Sequence, residues 1–258
     1  MKQYRILSWN VNGLRAVLKK NFLTWFKKDG ADILCIQEIK ATPAQLPPDV
    51  LHFPGYDVQV HSAQRPGYSG VATFSKEKPL SVKQGFGIGR FHSEGRVLET
   101  EYREFTLFNI YFPNGKSGDE RLGYKMDFYE EALKYFLKLR RRGKKLVICG
   151  DVNTAHKEID LARPRENSKV SGFLPIERAW MNKWVSKGFL DSFRVFNQEP
   201  NQYTWWDVIS GARARNVGWR IDYFFISEDL RPRLREAFIL PEVLGSDHCP
   251  VGITLKFS

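Results

Sequence analysis

Residues 5–37, RILSWNVNGLRAVLKKNFLTWFKKDGADILCIQ, pass from one apolar pattern to another and back again. Arg5 to Trp9 is a short apolar run with strand character, and Asn12-Gly13 supplies a turn beyond it. Leu14, Leu18, Phe22, Trp25 and Phe26 recur at helical spacing, which predicts a helix over 14–29 stopped by Gly30. Asp32 to Gln37 is again a strand. The stretch is therefore a strand–helix–strand unit, the connection that parallel strands require.

Outward from this unit, Pro43, Pro47, Pro48 and Pro54 make the chain irregular. Gly70–Phe74 and Val97–Tyr102 read as strands, and Phe105–Tyr111 follows so closely that a hairpin is expected. After a polar loop over 113–123, Lys125–Arg142 carries Tyr129, Ala132, Leu133, Phe136 and Leu137 on one helical face. Leu146–Gly150 is a strand, 154–175 is mostly loop, and Ile176–Lys187 is helical. Tyr203–Trp206, Ile221–Ile226 and Val251–Phe257 supply late strands. Hairpins mixed with crossovers predict one α/β domain over residues 1–258 with two packed sheets, rather than a doubly wound sheet.

The 258 residues are 42% apolar, which suits a folded chain with a substantial core. Forty Lys and Arg against 29 Asp and Glu leave a formal charge of +11, which favours a polyanionic partner. Cys35, Cys149 and Cys249 form no CxxC pair, so neither a disulfide framework nor a structural zinc site is expected. No signal peptide or membrane-length apolar run is visible, and an intracellular location follows as the expectation.

Four strand ends carry the chemistry: Ser8-Trp9-Asn10, Gln37-Glu38, Gly150-Asp151-Val152-Asn153, and Gly245-Ser246-Asp247-His248-Cys249-Pro250 before the last strand. Carboxylates, carboxamides and one imidazole gathered at a sheet rim suit a hard divalent cation and a phosphate ester. That points to metal-dependent phosphodiester hydrolysis. Each group also has a plainer explanation. Asp151 and Asn153 could form an Asx turn, Glu38 a solvated strand end beside Lys40, and His248 a buried, hydrogen-bonded histidine. Only the four together separate the two explanations. Asp222, just after Trp219-Arg220-Ile221, is the candidate to fix the tautomer of His248.

SWNVNGLRA, ILCIQEIK, NIYFPN, CGDVNTAHKEIDL, SGFLPIER, NVGWRIDYF and LGSDHCP occur in that order along the chain. Together they resemble the exonuclease III family of apurinic/apyrimidinic endonucleases. The resemblance implies a four-layer α/β sandwich, deoxyribonuclease I-like, with two central mixed sheets flanked by helices. It also implies cleavage 5′ to an abasic site, leaving a 3′-hydroxyl and a 5′-deoxyribose phosphate. A 3′→5′ exonuclease and 3′-end cleaning would accompany it, and incision beside altered bases stays open. The alternatives are a non-specific nuclease of the same fold, a phosphoinositide phosphatase, or a DNA-binding module without catalysis.

Carried over residue by residue, Glu38 resembles the principal metal ligand, with Asn10, Asp247, Asp151 and Asn153 around it and Asn12 just outside. Some relatives have Asp at the position of Asn12, so the charge here is one unit less negative. Mg²⁺ is the implied cofactor and Mn²⁺ its substitute, with one or two ions left open. Asp151 would activate the attacking water and Asn153 position the phosphate. His248, paired to Asp222, would donate to a non-bridging oxygen, with Tyr111 beside it and Asn167 as a further phosphate contact. Trp205, Trp219 and Ile221 resemble the pocket for a flipped-out, base-free sugar. Lys116, Arg121, Arg213, Arg215 and Asn216 are candidate contacts to double-stranded DNA containing abasic or damaged sites, and a monomer is expected. Lys138, Arg140, Arg141, Arg142, Lys144 and Lys145 close a helix, where the dipole alone accounts for cations as well as DNA does.

Overall fold

The computed structural model describes residues 1–257. In chain order the strands are β1 (Lys2–Asn10), β2 (Ile33–Gln37), β3 (Asp57–His61), β4 (Val71–Ser75), β5 (Ser81–Gln84), β6 (Val97–Glu101) and β7 (Thr106–Ile110). They continue as β8 (Leu146–Asp151), β9 (Phe189–Asp191), β10 (Trp205–Trp206), β11 (Gly218–Trp219), β12 (Asp222–Ser227), β13 (Leu234–Ile239) and β14 (Val251–Phe257). One six-stranded sheet runs β13-β14-β1-β2-β4-β3 and the other β5-β6-β7-β8-β12-β9. Both are mixed: β1 and β2 are parallel, as are β7 and β8, and the other pairs are antiparallel.

The central strands are apolar on both faces because both faces are covered. Ile6, Ile33, Cys35, Leu107, Val147, Cys149, Phe224 and Ile253 meet between the sheets. Their neighbours Leu7, Trp9, Leu34 and Ile36 pack outward on the helices Leu14–Leu18 and Phe22–Asp29. On the other side Phe108, Ile110 and Ile148 pack on Phe128, Phe136, Trp180 and Trp184 of the helices Asp119–Arg141 and Pro175–Ser186. The result is helix, sheet, sheet, helix: the four layers that the resemblance implies.

The same period of two places the polar groups. Asn10 continues the inward set of Ile6 and Ser8, Gln37 that of Ile33 and Cys35, and Asp151 that of Val147 and Cys149. Asp222 continues Phe224 and Ile226 in the same way. The layer between the sheets is therefore apolar through its depth and polar at one rim. Gly150, at φ 136°, permits this crowding, since a Cβ there would lie 1.8 Å from the Ile110 carbonyl oxygen.

Three details differ from the sequence reading. The helix expected over 14–29 is two helices, broken where Asn21 takes a left-handed conformation at φ 64°, which Asn tolerates better than most residues. The helix expected from Lys125 starts six residues earlier, with Asp119 and Glu120 in its first turn, where acidic groups favour helix starts. The strand expected over 203–206 is reduced to Trp205–Trp206, paired with Gly218–Trp219 and bridged once to His248. No helix among the described residues is long and apolar enough to cross a membrane.

Candidate active site

A cavity of about 210 Å³ opens at the polar rim, lined by groups from both sheets and from the Trp205–Trp219 ribbon. At its buried side Asp151 accepts a hydrogen bond from the Asn10 carboxamide at 2.9 Å and from the Asn153 backbone N–H at 2.8 Å. Asn153 takes a left-handed φ of 56° there, and its amide also donates to the Phe112 carbonyl at 2.9 Å. Beyond it, the buried Lys125 ammonium holds the Asn153 carbonyl and the Thr154 hydroxyl and pairs with the equally buried Glu177.

His248 stands opposite. Its Nδ1 lies 2.8 Å from Asp222, which also accepts from the Thr204 hydroxyl at 2.6 Å. Its Nε2 faces Asp151 at 3.8 Å. Asp222 thus fixes the ring and leaves Nε2 to the cavity. Asp151, Asp222 and His248 present ligand atoms within 4.8 Å of one another, a set able to coordinate a divalent metal.

The electrostatics follow from this packing. Burial disfavours the Asp151 anion and outweighs the nearby imidazole, pushing its carboxyl up to about 7. Burial alone would lower His248, but the Asp222 charge and hydrogen bond, with Asp151 and Asp247 beyond, raise it to about 10. Burial, reinforced by the charges of Glu38 and Asp151, holds the Tyr111 phenol well above its ordinary range.

The outer corner is built from Glu38, Asn12 and Asp247. Asp247 accepts from the Asn12 amide at 2.9 Å and from the Trp205 indole at 3.0 Å. Burial would raise its carboxyl, yet His248 and these donors together hold it below the usual range. Lys40 reaches in to 3.0 Å from Glu38 and also donates to Asn12, so this corner already attracts a cation. Trp205 and Trp219 form the apolar wall, their ring centroids 6.4 Å apart and nearly perpendicular, packed in one apolar cluster with Ile221.

Residues 7–248 match the profile of the endonuclease/exonuclease/phosphatase family. The chain belongs to that family. It is 43% identical over 254 residues to the exodeoxyribonuclease of Bacillus subtilis, covering 98% of this chain and 99% of the relative. It is also 43% identical over 254 residues to the DNA repair nuclease APEX1 of Danio rerio, covering 97% and 82%. Among solved structures, the AP endonuclease LMAP of Leishmania major superimposes with a TM-score of 0.89 at 28% identity, covering 100% of this chain and 89% of that one.

Of the residues singled out from the sequence, Glu38, Tyr111, Lys116, Asp151, Asn153, Trp205, Trp219, Ile221, Asp247, His248 and Asn12 line this one cavity. Asp222 lies behind His248. Six placements differ. Asn10 is fully enclosed, with its amide on Asp151 and its oxygen on the Asn12 N–H, so it orients the site from beneath instead of facing a metal. Asn167 donates to the Ala162 and Arg163 carbonyls of its own loop. Arg213 is spent on the carbonyls of Pro241, Val243 and Ser246, and Asn216 bridges the Trp206 indole and the Asn201 carbonyl. Arg121 binds Glu94 and the Tyr68 hydroxyl in a neighbouring cleft, and Arg215 donates to the Ser210 carbonyl.

Some groups were not singled out from the sequence. Asn114, Ser171 and Gly172 line the cavity. Arg96, 1% exposed, donates to the Tyr111 carbonyl at 2.9 Å and lies 4.7 Å from the centre of its ring. Val208 and Ile209, 70% and 97% exposed, form an apolar loop tip next to the Trp205–Trp206 strand. A large apolar residue inside a polar turn was the signal for that tip.

Proposed function

We propose that this chain is a DNA-repair phosphodiesterase that cuts 5′ to an abasic site and also removes nucleotides and blocking groups from 3′ ends. The observation that carries the reading is the Asp222–His248–Asp151 line facing the Glu38–Asp247 corner, at the mouth of a cavity walled by two indoles. Its substrate is double-stranded DNA, and the chain acts as a monomer folded as one domain.

The donor set at the outer corner fits Mg²⁺: carboxylate and carboxamide oxygens, already attracting the Lys40 cation. Glu38 would hold the ion with Asp247 nearby, and the ion would neutralise phosphate charge and stabilise the leaving oxygen. Asp151 takes the proton of the attacking water, with a pKa near the working pH. Asn10 and Asn153 fix that carboxylate's orientation. His248, kept protonated by Asp222, donates from Nε2 to a non-bridging phosphate oxygen. The Tyr111 phenol, neutral through the working range, donates alongside it.

Trp205, Trp219 and Ile221 leave room for a bare sugar and crowd an intact nucleoside, and flipping is cheapest where stacking is already lost. Lys116, over the Trp205 ring at 4.9 Å, supplies a cation at the pocket mouth. The exposed Val208-Ile209 tip is an apolar wedge of the kind that opens a base step.

The test is cleavage of an end-labelled duplex carrying one central abasic analogue, beside an undamaged control, with Mg²⁺ and with EDTA. Mg²⁺-dependent nicking 5′ of the lesion alone supports the assignment. Equal internal cutting of both duplexes makes this a general nuclease, and no cutting of either removes the hydrolytic reading.

A further inference from the structure

We propose that the end of the molecule opposite the active site carries a second, sequence-independent contact for DNA, one that holds a duplex segment other than the one being cut. The inference rests on DNA being the substrate. Strands β7 and β8 run parallel towards the cavity, so the turns before them lie at the far end. Lys145, just before β8, and Asp151, at its end, are six residues apart, about 20 Å along an extended strand.

Several elements bring cations to that far end. Residues 138–145, KLRRRGKK, contain six Lys or Arg and no acid. Arg140 is used on the Lys187 and Gly188 carbonyls, and Lys144 is paired with Glu101. Lys138, Arg141, Arg142 and Lys145 are exposed, as are Arg103 in the β6–β7 turn and Lys187 after the helix Pro175–Ser186. None of these six side chains makes a hydrogen bond or ion pair among the described residues. The turns adjoin one another: the Thr106 N–H donates to the Lys145 carbonyl at 2.8 Å, and Arg103, Lys144 and Lys145 line one polar cleft.

The helix dipole accounts for Lys138 and Arg141 in the last helical turn. It accounts equally for Arg142 and Lys187, the C-cap residues of the two helices, but not for Arg103 or Lys145, which belong to no helix. Against the six stand Glu104, Glu228 and Asp229, together with Glu77, which interacts with Arg103 but is itself paired with Lys2, so the far end keeps a positive excess. A regular polyanion of phosphates is what an exposed, unpaired, flexible set of this kind recognises. The segment bound there is a separate one, because duplex DNA has a persistence length of about 50 nm and does not fold round a molecule of this size without large cost.

Asp151→Asn protein is first saturated with a short duplex carrying an abasic analogue in EDTA, and a second, labelled, undamaged duplex is then added at low salt. The expected result is a complex of one protein chain with two duplexes, weakening steeply as salt rises. Changing Lys138, Arg141, Arg142 and Lys145 together to Gln in that protein weakens capture of the second duplex by about 10-fold or more. The same changes in the active protein leave nicking of the short abasic duplex as it was. The pair Arg103→Gln/Lys145→Gln, outside the helix, reduces capture with the helix untouched.

Failure to capture a second duplex, or equal capture by both variants, overturns the proposal. So does a complex containing two protein chains, since each duplex would then sit in its own active site. A loss of short-duplex nicking by the Arg103/Lys145 pair assigns these cations to the cutting face instead. If the unaltered protein nicks nothing, the catalytic assignment fails separately.

Discussion

Asn10 of one sheet donates its carboxamide to Asp151 of the other, 2.9 Å across the rim of the layer between them. The bond orients the carboxylate assigned to the attacking water and ties the two halves of the site together. Asp151→Asn should lower kcat on abasic duplex by about 10²–10⁴-fold and leave binding in EDTA close to unchanged. Asn10→Ala should lower kcat less, with KM nearly constant. Stopped-flow nicking and equilibrium binding measured on the same duplex separate the two, and equal losses of binding and turnover would remove Asp151 from its role.

The Asp151–His248 pair should give a bell-shaped pH–rate profile. Asp151 is raised to about 7, so its anion, the acceptor, accumulates as pH climbs through neutrality. His248 is raised to about 10, so the donor is lost only above that. The two limbs belong to the coupled pair. Asp222→Asn withdraws the charge that raises His248, and should move the alkaline limb to lower pH. A profile unchanged by that substitution would show that Asp222 does not control the imidazole.

Glu38→Ala should shift the Mg²⁺ titration of activity to higher concentration by about 10–100-fold. Asn12→Asp adds a carboxylate beside Lys40 and Asp247, and should tighten the metal. Direct Mn²⁺ binding, read by electron paramagnetic resonance without substrate, checks both. An unchanged titration for Glu38→Ala places the ion elsewhere.

Trp219→Ala should enlarge the pocket and reduce discrimination between abasic and intact duplex, with a smaller effect on 3′-end removal. The ratio of the two specificity constants is the measurement. Gly172, whose Cβ would come within 3.2 Å of the Trp219 ring, offers the opposite change. Gly172→Ala should narrow the pocket and strain a backbone at φ 102°.

Lys125 and Glu177 form a pair with both side chains 0% exposed. Burial lowers the Lys125 pKa despite its partner. Lys125→Met alone leaves a buried carboxylate uncompensated and should cost about 3–5 kcal/mol in urea unfolding. Replacing both, as Lys125→Met with Glu177→Leu, should recover most of that loss. If the double variant is no better than the single one, the remaining bonds to Gly172, Leu174 and Asn153 matter more than the charges.

The central strands and the rim groups were legible because the apolar runs of β1, β2 and β8 end abruptly in Asn10, Gln37 and Asp151, and the period of two carries the inward face on to that last residue. Strands β3, β5 and β13 were not legible. They lie at or beside sheet edges, and their half-exposed residues lack the apolar run that marks a central strand. The fate of Arg213 was equally hidden. It looks free in a basic loop, yet its partners are carbonyls about thirty residues further along. Asn10 showed its polarity at a strand end but not its direction, because its partner lies 141 residues away.

The hydrogen bond from Trp9 to the His248 carbonyl spans 239 residues, and β14, which follows that histidine, pairs with β1. A chain synthesised only as far as Asp151 therefore holds Asn10, Glu38 and Asp151 without the imidazole that faces that carboxylate. The centre is complete only when the strand after His248 docks on β1.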